Sequence, residues 1–537
     1  MGKQNFCSFF LTAVFLSSFF SAEAYTLRNS DGGPAGNTGN YSAPETPTYE
    51  EILQTARSSN ISAALKVKLN TLLTTPFVSN EAAADDIALS RNDKLGSFIR
   101  VGSWNIEHGI TLDQIKLALQ DIDVFKQQVK YSRSGAKYRE VLNQLEVLRS
   151  VDVLVLNEVD RGLAQTDYRD VAGELAAAFK MNYAYGVEFI ELALPDSDSE
   201  KSENVTSNET ELAVGIKLDK TRYKGLHGTM ILSRFPIRRA TLTPLKFQPY
   251  DWYNKEKRKP SIPDSVRRKM GEVFFLESSQ RQVRYGARTV LMVELDVLQL
   301  PEKCLTVVAT QLENQCSPSD RKRQMREVLA LIKEIKGPLV LAGDLNTSGS
   351  NLRPTRLTTE LVRRIKSREF WTKQLAKTLI GVGVIGDMAF ASAKFAQSAF
   401  DPTSKGIFFF APNKEAEIFK DLERMRFTDG YCFDFRGDAR RTVNGTAGTL
   451  ANSNQRSSNK GFVSTHAMNR TFWAVGKNKL DWIFVKGYAK SPRGKGEPYK
   501  MAPHFARTLE EFNYSMDRRM SDHSPITVDL PIAEAEF

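Results

Sequence analysis

Two pairs of residues in this chain have the types and the spacing for chemistry. Asp344 and Asn346 follow an apolar run, Leu339 to Ala342, and a glycine, Gly343. Asn105 and Glu107 stand at the end of a second run that begins at Phe98. Alternate side chains of an extended backbone share a face, so each pair points one way at a strand's end. A carboxylate so placed can orient or deprotonate a water, and an amide can donate to an oxyanion. The plain alternative is a strand entering an Asx turn, where Asp and Asn are ordinary residues. Other strand ends weigh against it: Glu158 closes the run Val151 to Asn157, while Asp481, Asp522 and His523 each lie beside a further strand. Carboxylates on separate apolar strands are costly to bury without a compensating cation. One convergent site accounts for all of them.

Oxygen ligands without a thiolate favour Mg²⁺, Mn²⁺ or Ca²⁺, and Mg²⁺ is typically held by one or two carboxylates, waters and substrate phosphate. Such an ion polarises a phosphoryl oxygen. His523, next to Asp522, is the obvious imidazole for proton transfer or for binding phosphoryl oxygens.

The elements that must position these groups are strands interleaved with helices. Alternating or continuous apolar runs predict strands at Phe98 to Glu107, Val151 to Asp160, Tyr183 to Glu191, Glu211 to Lys217, His227 to Pro236, Arg288 to Val297 and Leu305 to Leu312. Helices are expected near Asp170 to Phe179 and over Pro318 to Lys336. Gly-x-Gly-x-x-Gly and Walker loops are missing, which excludes nucleotide binding by those devices.

At 537 residues, with 41% hydrophobic and 26% charged residues, the chain has an ordinary globular composition. Its net charge of +11 favours anionic partners. Lys3, the apolar stretch Phe6 to Phe20 and Ser21-Ala22-Glu23-Ala24 form the three parts of a secretory signal, residues 1–24; an uncleaved membrane anchor is the alternative. Export then leaves Cys304, Cys316 and Cys432, of which Cys316 and Cys432 are the preferred disulfide pair. Residues 25–97 read as a linker and helical pre-domain, with a capping box at Thr48 to Glu51 opening one helix to about Leu73. The remainder, 98–537, reads as one domain with insertions at about 195–211, 246–284 and 351–420. The second insertion is basic and carries Tyr250, Trp252 and Tyr253, a charge-plus-stacking combination suited to single strands. A further basic loop runs from Lys486 to Lys500.

The ordered motifs Trp104-Asn105-Ile106-Glu107, Asn157-Glu158-Val159, Ile231-Leu232-Ser233-Arg234, Gly343-Asp344-Leu345-Asn346, Leu480-Asp481-Trp482-Ile483 and Ser521-Asp522-His523 resemble those of the endonuclease/exonuclease/phosphatase superfamily, the fold of pancreatic-type deoxyribonuclease. The resemblance implies a four-layer α/β sandwich with two packed mixed β-sheets flanked by helices, the site lying at one rim. It implies Glu158 as the main ligand of a divalent metal, with Asn105, Glu107 and Asp522 beside it. Asp344 then orients the attacking water, Asn346 holds the phosphate and Asp481 supports His523. One position departs: hydrolytic relatives often carry a second histidine where this chain has Gln311. A glutamine amide can hydrogen-bond a phosphate oxygen but cannot exchange a proton near neutral pH.

The function expected is therefore that of an exported, metal-dependent phosphodiesterase acting on a polyanionic phosphate ester, with nucleic acid the leading substrate. The alternatives are a phosphatase or phospholipid/inositol-phosphate phosphodiesterase, and a weakened binding member of the family. A stable protein partner is not expected. His108 is a candidate to line the site, whereas His227, His466 and His504 read as structural or surface residues.

Overall fold

The computed structural model describes residues 43–58, 60–82, 87–192, 218–258, 282–347, 415–436, 438–443, 464–472, 475–494 and 496–535. The signal segment, the linker before residue 43, the strand expected at Glu211 to Lys217, the insertion at 195–211, residues 259–281 of the basic insertion and residues 351–414 of the one at 351–420 lie outside them. In chain order the strands are β1 (Phe77–Ser79), β2 (Ser90–Asn92), β3 (Gly96–His108), β4 (Val153–Arg161), β5 (Asn182–Glu191), β6 (Leu226–Ser233), β7 (Ile237–Pro244) and β8 (Arg284–Gly286). They continue as β9 (Thr289–Asp296), β10 (Cys304–Thr310), β11 (Leu339–Asp344), β12 (His466–Phe472), β13 (Val475–Asn478), β14 (Asp481–Lys486), β15 (His504–Thr508) and β16 (Ile526–Pro531).

Two mixed sheets result. A 9-stranded sheet runs β1-β5-β6-β4-β3-β16-β15, with β2 on β3 and β8 on β5; a 5-stranded sheet runs β14-β11-β10-β9-β7. β3 and β4 pair in parallel, as do β10 and β11. Period-two alternation sorts the strand residues between layers. Val101, Val153, Val155 and Ile231 of the first sheet meet Val293, Val307, Val340, Ala342, Ile483 and Val485 of the second in a core between the sheets. The intervening residues Trp104, Leu154, Leu156 and Met230 pack outward under helices that include Leu112–Gln120, Ala136–Arg149 and Val171–Phe179. Val308, Leu341, Trp482 and Phe484 do the same beneath Pro318–Ile332 and Ala416–Arg424. Helix, sheet, sheet and helix make the four-layer α/β sandwich.

The same alternation places the site. Continuing from Val340 and Ala342 puts Asp344 on the inter-sheet face; continuing back from Val485 and Ile483 reaches Asp481, its direct partner in register. On the opposite sheet Asn105 pairs with Asn157 one step beyond the apolar residues. These four strand ends meet at one rim.

Several expectations on organisation are corrected. The helix foreseen from Thr48 to Leu73 is two helices, Tyr49–Arg57 and Ala63–Thr74. The capping box at Thr48 is present, but Ser58 is extended and Ser62 caps the second helix, as side chains that compete for backbone hydrogen bonds favour. Nor is residue 97 a domain boundary. Ile52, Leu65, Leu69 and Leu72 belong to the same core as Tyr185 and Met230, β1 and β2 extend the large sheet, and Thr38–Phe537 is one compact unit. The described cysteines, Cys304, Cys316 and Cys432, are free: Cys316 and Cys432 donate their thiols to the carbonyls of Glu313 and Ala489, and burial pushes them up to about 12 and about 11. Among the described residues no helix is long and apolar enough to cross a membrane.

Candidate active site

Asp344 is buried, and four donors arrange its carboxylate. Oδ1 accepts the Asn346 backbone N–H at 2.8 Å. Oδ2 accepts the side-chain amides of Asn105 at 3.2 Å, Asn346 at 3.3 Å and Gln311 at 3.4 Å. Its own N–H donates to Asn157 Oδ1 at 2.9 Å. Burial raises this carboxyl, with Asp481 and Glu158 adding to the rise and His523 opposing it, to about 6. Asn346, at a left-handed φ of 51°, spends its other amide hydrogen on the Leu312 carbonyl at 2.9 Å.

His523 is held by Asp481, whose Oδ2 lies 2.7 Å from Nδ1. Nε2 is left toward the site, 4.0 Å from Asp522 Oδ1. Burial favours the neutral ring, but Asp481 and Asp522 outweigh it and hold the imidazole well above its ordinary range. Trp104 Nε1 donates to the His523 carbonyl at 2.8 Å, and Ser521 Oγ accepts the His523 N–H while donating to the Asn105 carbonyl.

Glu107, Glu158 and Asp522 form the open side of the rim, with side chains 29%, 22% and 22% exposed. Simple alternation does not place them. The β3–β4 register shifts after the Asn105–Asn157 pair, and Glu107, His108 and Glu158 take left-handed φ values of 47°, 64° and 56°. A bulge of this kind re-aims side chains and persists only where surroundings hold it. Glu107 Oε2 accepts the Asp522 N–H at 2.9 Å, and Asp522 is close enough to raise Glu158. Burial also raises Glu158, but His108, His227 and His523 bring it down to about 2. Glu107, Glu158 and Asp522 together offer an all-oxygen donor set of the kind a hard divalent cation takes. Asn105 stands differently: its Oδ1 accepts the Glu107 N–H and its Nδ2 serves Asp344.

Several neighbours went unrecognised in the sequence. His466, at the start of a hairpin, packs its ring 4.7 Å from that of His523, with Nε2 3.6 Å from Asp522. His227 is not remote either: with His108 it shares the buried Asp160, at 2.8 and 3.1 Å. His504 is buried and bonded to Glu534. Arg288, Glu188, Thr229 and Glu313 underlie the rim as buried polar groups. A motif of one histidine beside unpatterned sequence carries no signal of this; only the tertiary contacts bring it to the site.

Two expected contributors lie elsewhere. Trp252 and Tyr250 are buried against Phe189, with Trp252 Nε1 donating to Glu313 and Tyr250 bonded to Glu256, so they are packing residues and not a stacking platform. The basic loop after Lys486 leaves from the opposite rim, because Lys486 pairs with Leu339 at the far end of β11. Ser233 and Arg234 are also at that end, where Arg234 is bonded to Asp152.

Two mixed sheets with this rim of carboxylates, amides and a histidine define a metal-dependent phosphoester hydrolase. The chain belongs to the endonuclease/exonuclease/phosphatase family, whose model matches residues 102–523. No curated protein matches it. Among solved structures it is similar to an endonuclease/exonuclease/phosphatase from Beutenbergia cavernae, at 16% identity and a TM-score of 0.33, covering 82% of this chain and 72% of that one. It is also similar to the human Nocturnin catalytic domain, at 12%, 0.33, 80% and 92%, and to the 3′ phosphatase NExo from Neisseria, at 14%, 0.33, 80% and 99%.

Proposed function

We propose that this protein is an exported phosphodiesterase that hydrolyses a polyanionic ester, nucleic acid first among the candidates. The observation that carries the chemistry is the facing of Asp344 and the Asp481–His523 pair across one rim beside Glu107, Glu158 and Asp522. Asp344 takes the proton of the attacking water, its geometry set by Asn105 and Asn346. His523 donates from Nε2 to a phosphoryl oxygen. Glu158, Glu107 and Asp522 would hold a divalent cation, Mg²⁺ in the first place, which polarises the phosphoryl group and offsets its developing charge. The net charge of +11 supports nucleic acid as the substrate class. With Tyr250 and Trp252 packed against Phe189, those rings offer no stacking platform, and the recognition proposed is of the phosphate backbone.

The test is hydrolysis of DNA, RNA, sphingomyelin and inositol polyphosphates with Mg²⁺, Mn²⁺ or Ca²⁺, set against Asp344→Ala. Cleavage of nucleic acid that falls steeply with salt is expected, and the variant should lose roughly 10²–10⁴-fold in rate. Turnover of inositol phosphates or lipid alone would move the substrate to that class. Equal behaviour of the two proteins on every substrate would remove the catalytic reading.

A further inference from the structure

Arg288 is buried beneath the rim between two buried carboxylates, Glu188 and Glu313. Its Nη1 donates to Glu188 Oε2 at 2.9 Å and to Gln311 Oε1 at 2.7 Å. A guanidinium has donors only, so the Gln311 atom that faces it is the oxygen. At its other end Gln311 Nε2 meets Glu158 Oε1 at 2.7 Å and Asp344 Oδ2 at 3.4 Å, both acceptors. The amide orientation is thus dictated from both sides. The chain of bonds closes on itself. Asp344 N–H reaches Asn157, Asn157 Nδ2 reaches Thr229 at 3.1 Å, and Thr229 reaches the other oxygen of Glu188 at 2.8 Å.

We propose that Arg288 is a positioning residue that makes Gln311 a strut between Glu158 and Asp344. Position 311 then sets the spacing of the metal-holding and water-activating carboxylates and exchanges no proton with the leaving group. The inference rests on the roles given to those two residues above. A primary amide suits it because one side chain accepts from arginine and still donates two hydrogens to two carboxylates that would otherwise repel. A neutral histidine accepting from Arg288 has one N–H left, and so serves one carboxylate; a protonated one loses the acceptor. A histidine at this position could therefore serve Arg288 and one carboxylate at most, whereas Gln311 serves Arg288 and both.

The experiment uses the full chain freed of metal by chelation. Mn²⁺ affinity is read by calorimetry, and hydrolysis of aryl phosphodiesters with good and poor leaving groups is read at saturating Mn²⁺, for the wild type, Gln311→His, Gln311→Asn and Arg288→Lys. Each variant should weaken Mn²⁺ binding by about 10–100-fold, the range for residues that orient ligands. kcat should fall equally for both leaving groups. Arg288→Lys keeps the buried charge, and its Tm reports whether it folds; if it does not, the two Gln311 variants decide. A Gln311→His protein that is faster than the wild type, or that changes the leaving-group dependence with Mn²⁺ affinity intact, overturns the proposal. So does a wild type that binds no Mn²⁺. If Mn²⁺ binds and no ester is hydrolysed, the functional reading fails while the affinities still judge the strut.

Discussion

The carboxyl of Asp344 is raised by its burial, opposed by His523 and supported by Asp481, to about 6. As a base it works only when ionised, so kcat/KM should fall as pH drops through about 6, following the protonated fraction. A cation bound beside Glu158 favours the ionised form, so the limb should move lower as metal saturates. The profile at two Mg²⁺ concentrations checks both statements, and a profile flat from pH 5 to 8 contradicts them. His523 is held well above its ordinary range by Asp481 and Asp522, so its own limb is expected on the alkaline side of that of Asp344. Chemistry at this scale was legible because the residue types are costly to bury unless they work together. The partners of each atom were not. Asn346, read as a phosphate holder, spends its amide on Asp344 and the Leu312 carbonyl.

At the scale of elements, the end of β11 depends on Gly343. Its φ is +140°, and a Cβ there would lie 2.0 Å from the Thr310 carbonyl oxygen and 3.0 Å from Asn157 Oδ1. Thr310 is fixed in the adjoining strand β10 and Asn157 in β4 of the facing sheet, so neither can give way cheaply. Gly343→Ala should destabilise the protein by roughly 1–3 kcal/mol and displace Asp344 from its donors. A fall in Tm with a loss of activity greater than the loss of folded protein is the expected result; activity per folded molecule equal to the wild type would show that the close approach is not needed. Strand alternation was readable from β3, β4 and β11, and it correctly sorted core from rim. It failed at Glu107 and Glu158. There a bulge and left-handed backbone break the period of two, and no local residue pattern marks the break.

Across the described residues, three cores stack between four layers, and the helices Tyr49–Arg57 and Ala63–Thr74 join an outer core instead of standing apart. Their amphipathic spacing marks a buried face but not what covers it. The export proposed for residues 1–24 predicts that the chain recovered from the medium or the periplasm begins at Tyr25. Intact-mass measurement of that chain checks the cleavage; a mass that retains Met1 would favour the anchor. Cys316 and Cys432, each donating its thiol to a backbone carbonyl, form no disulfide with one another.

Residue order alone was enough for the family, the sandwich of two sheets and the gathering of carboxylates at one rim. Apolar period and motif order are local quantities, and both are conserved in the fold they build. The tertiary structure decided which groups share a proton or an amide: His466 against His523, Arg288 behind Gln311, Trp252 in the interior. Those pairings join residues distant in sequence through the packing of two sheets. Their energies depend on burial and on distances of about 3 Å, which no spacing along the chain encodes.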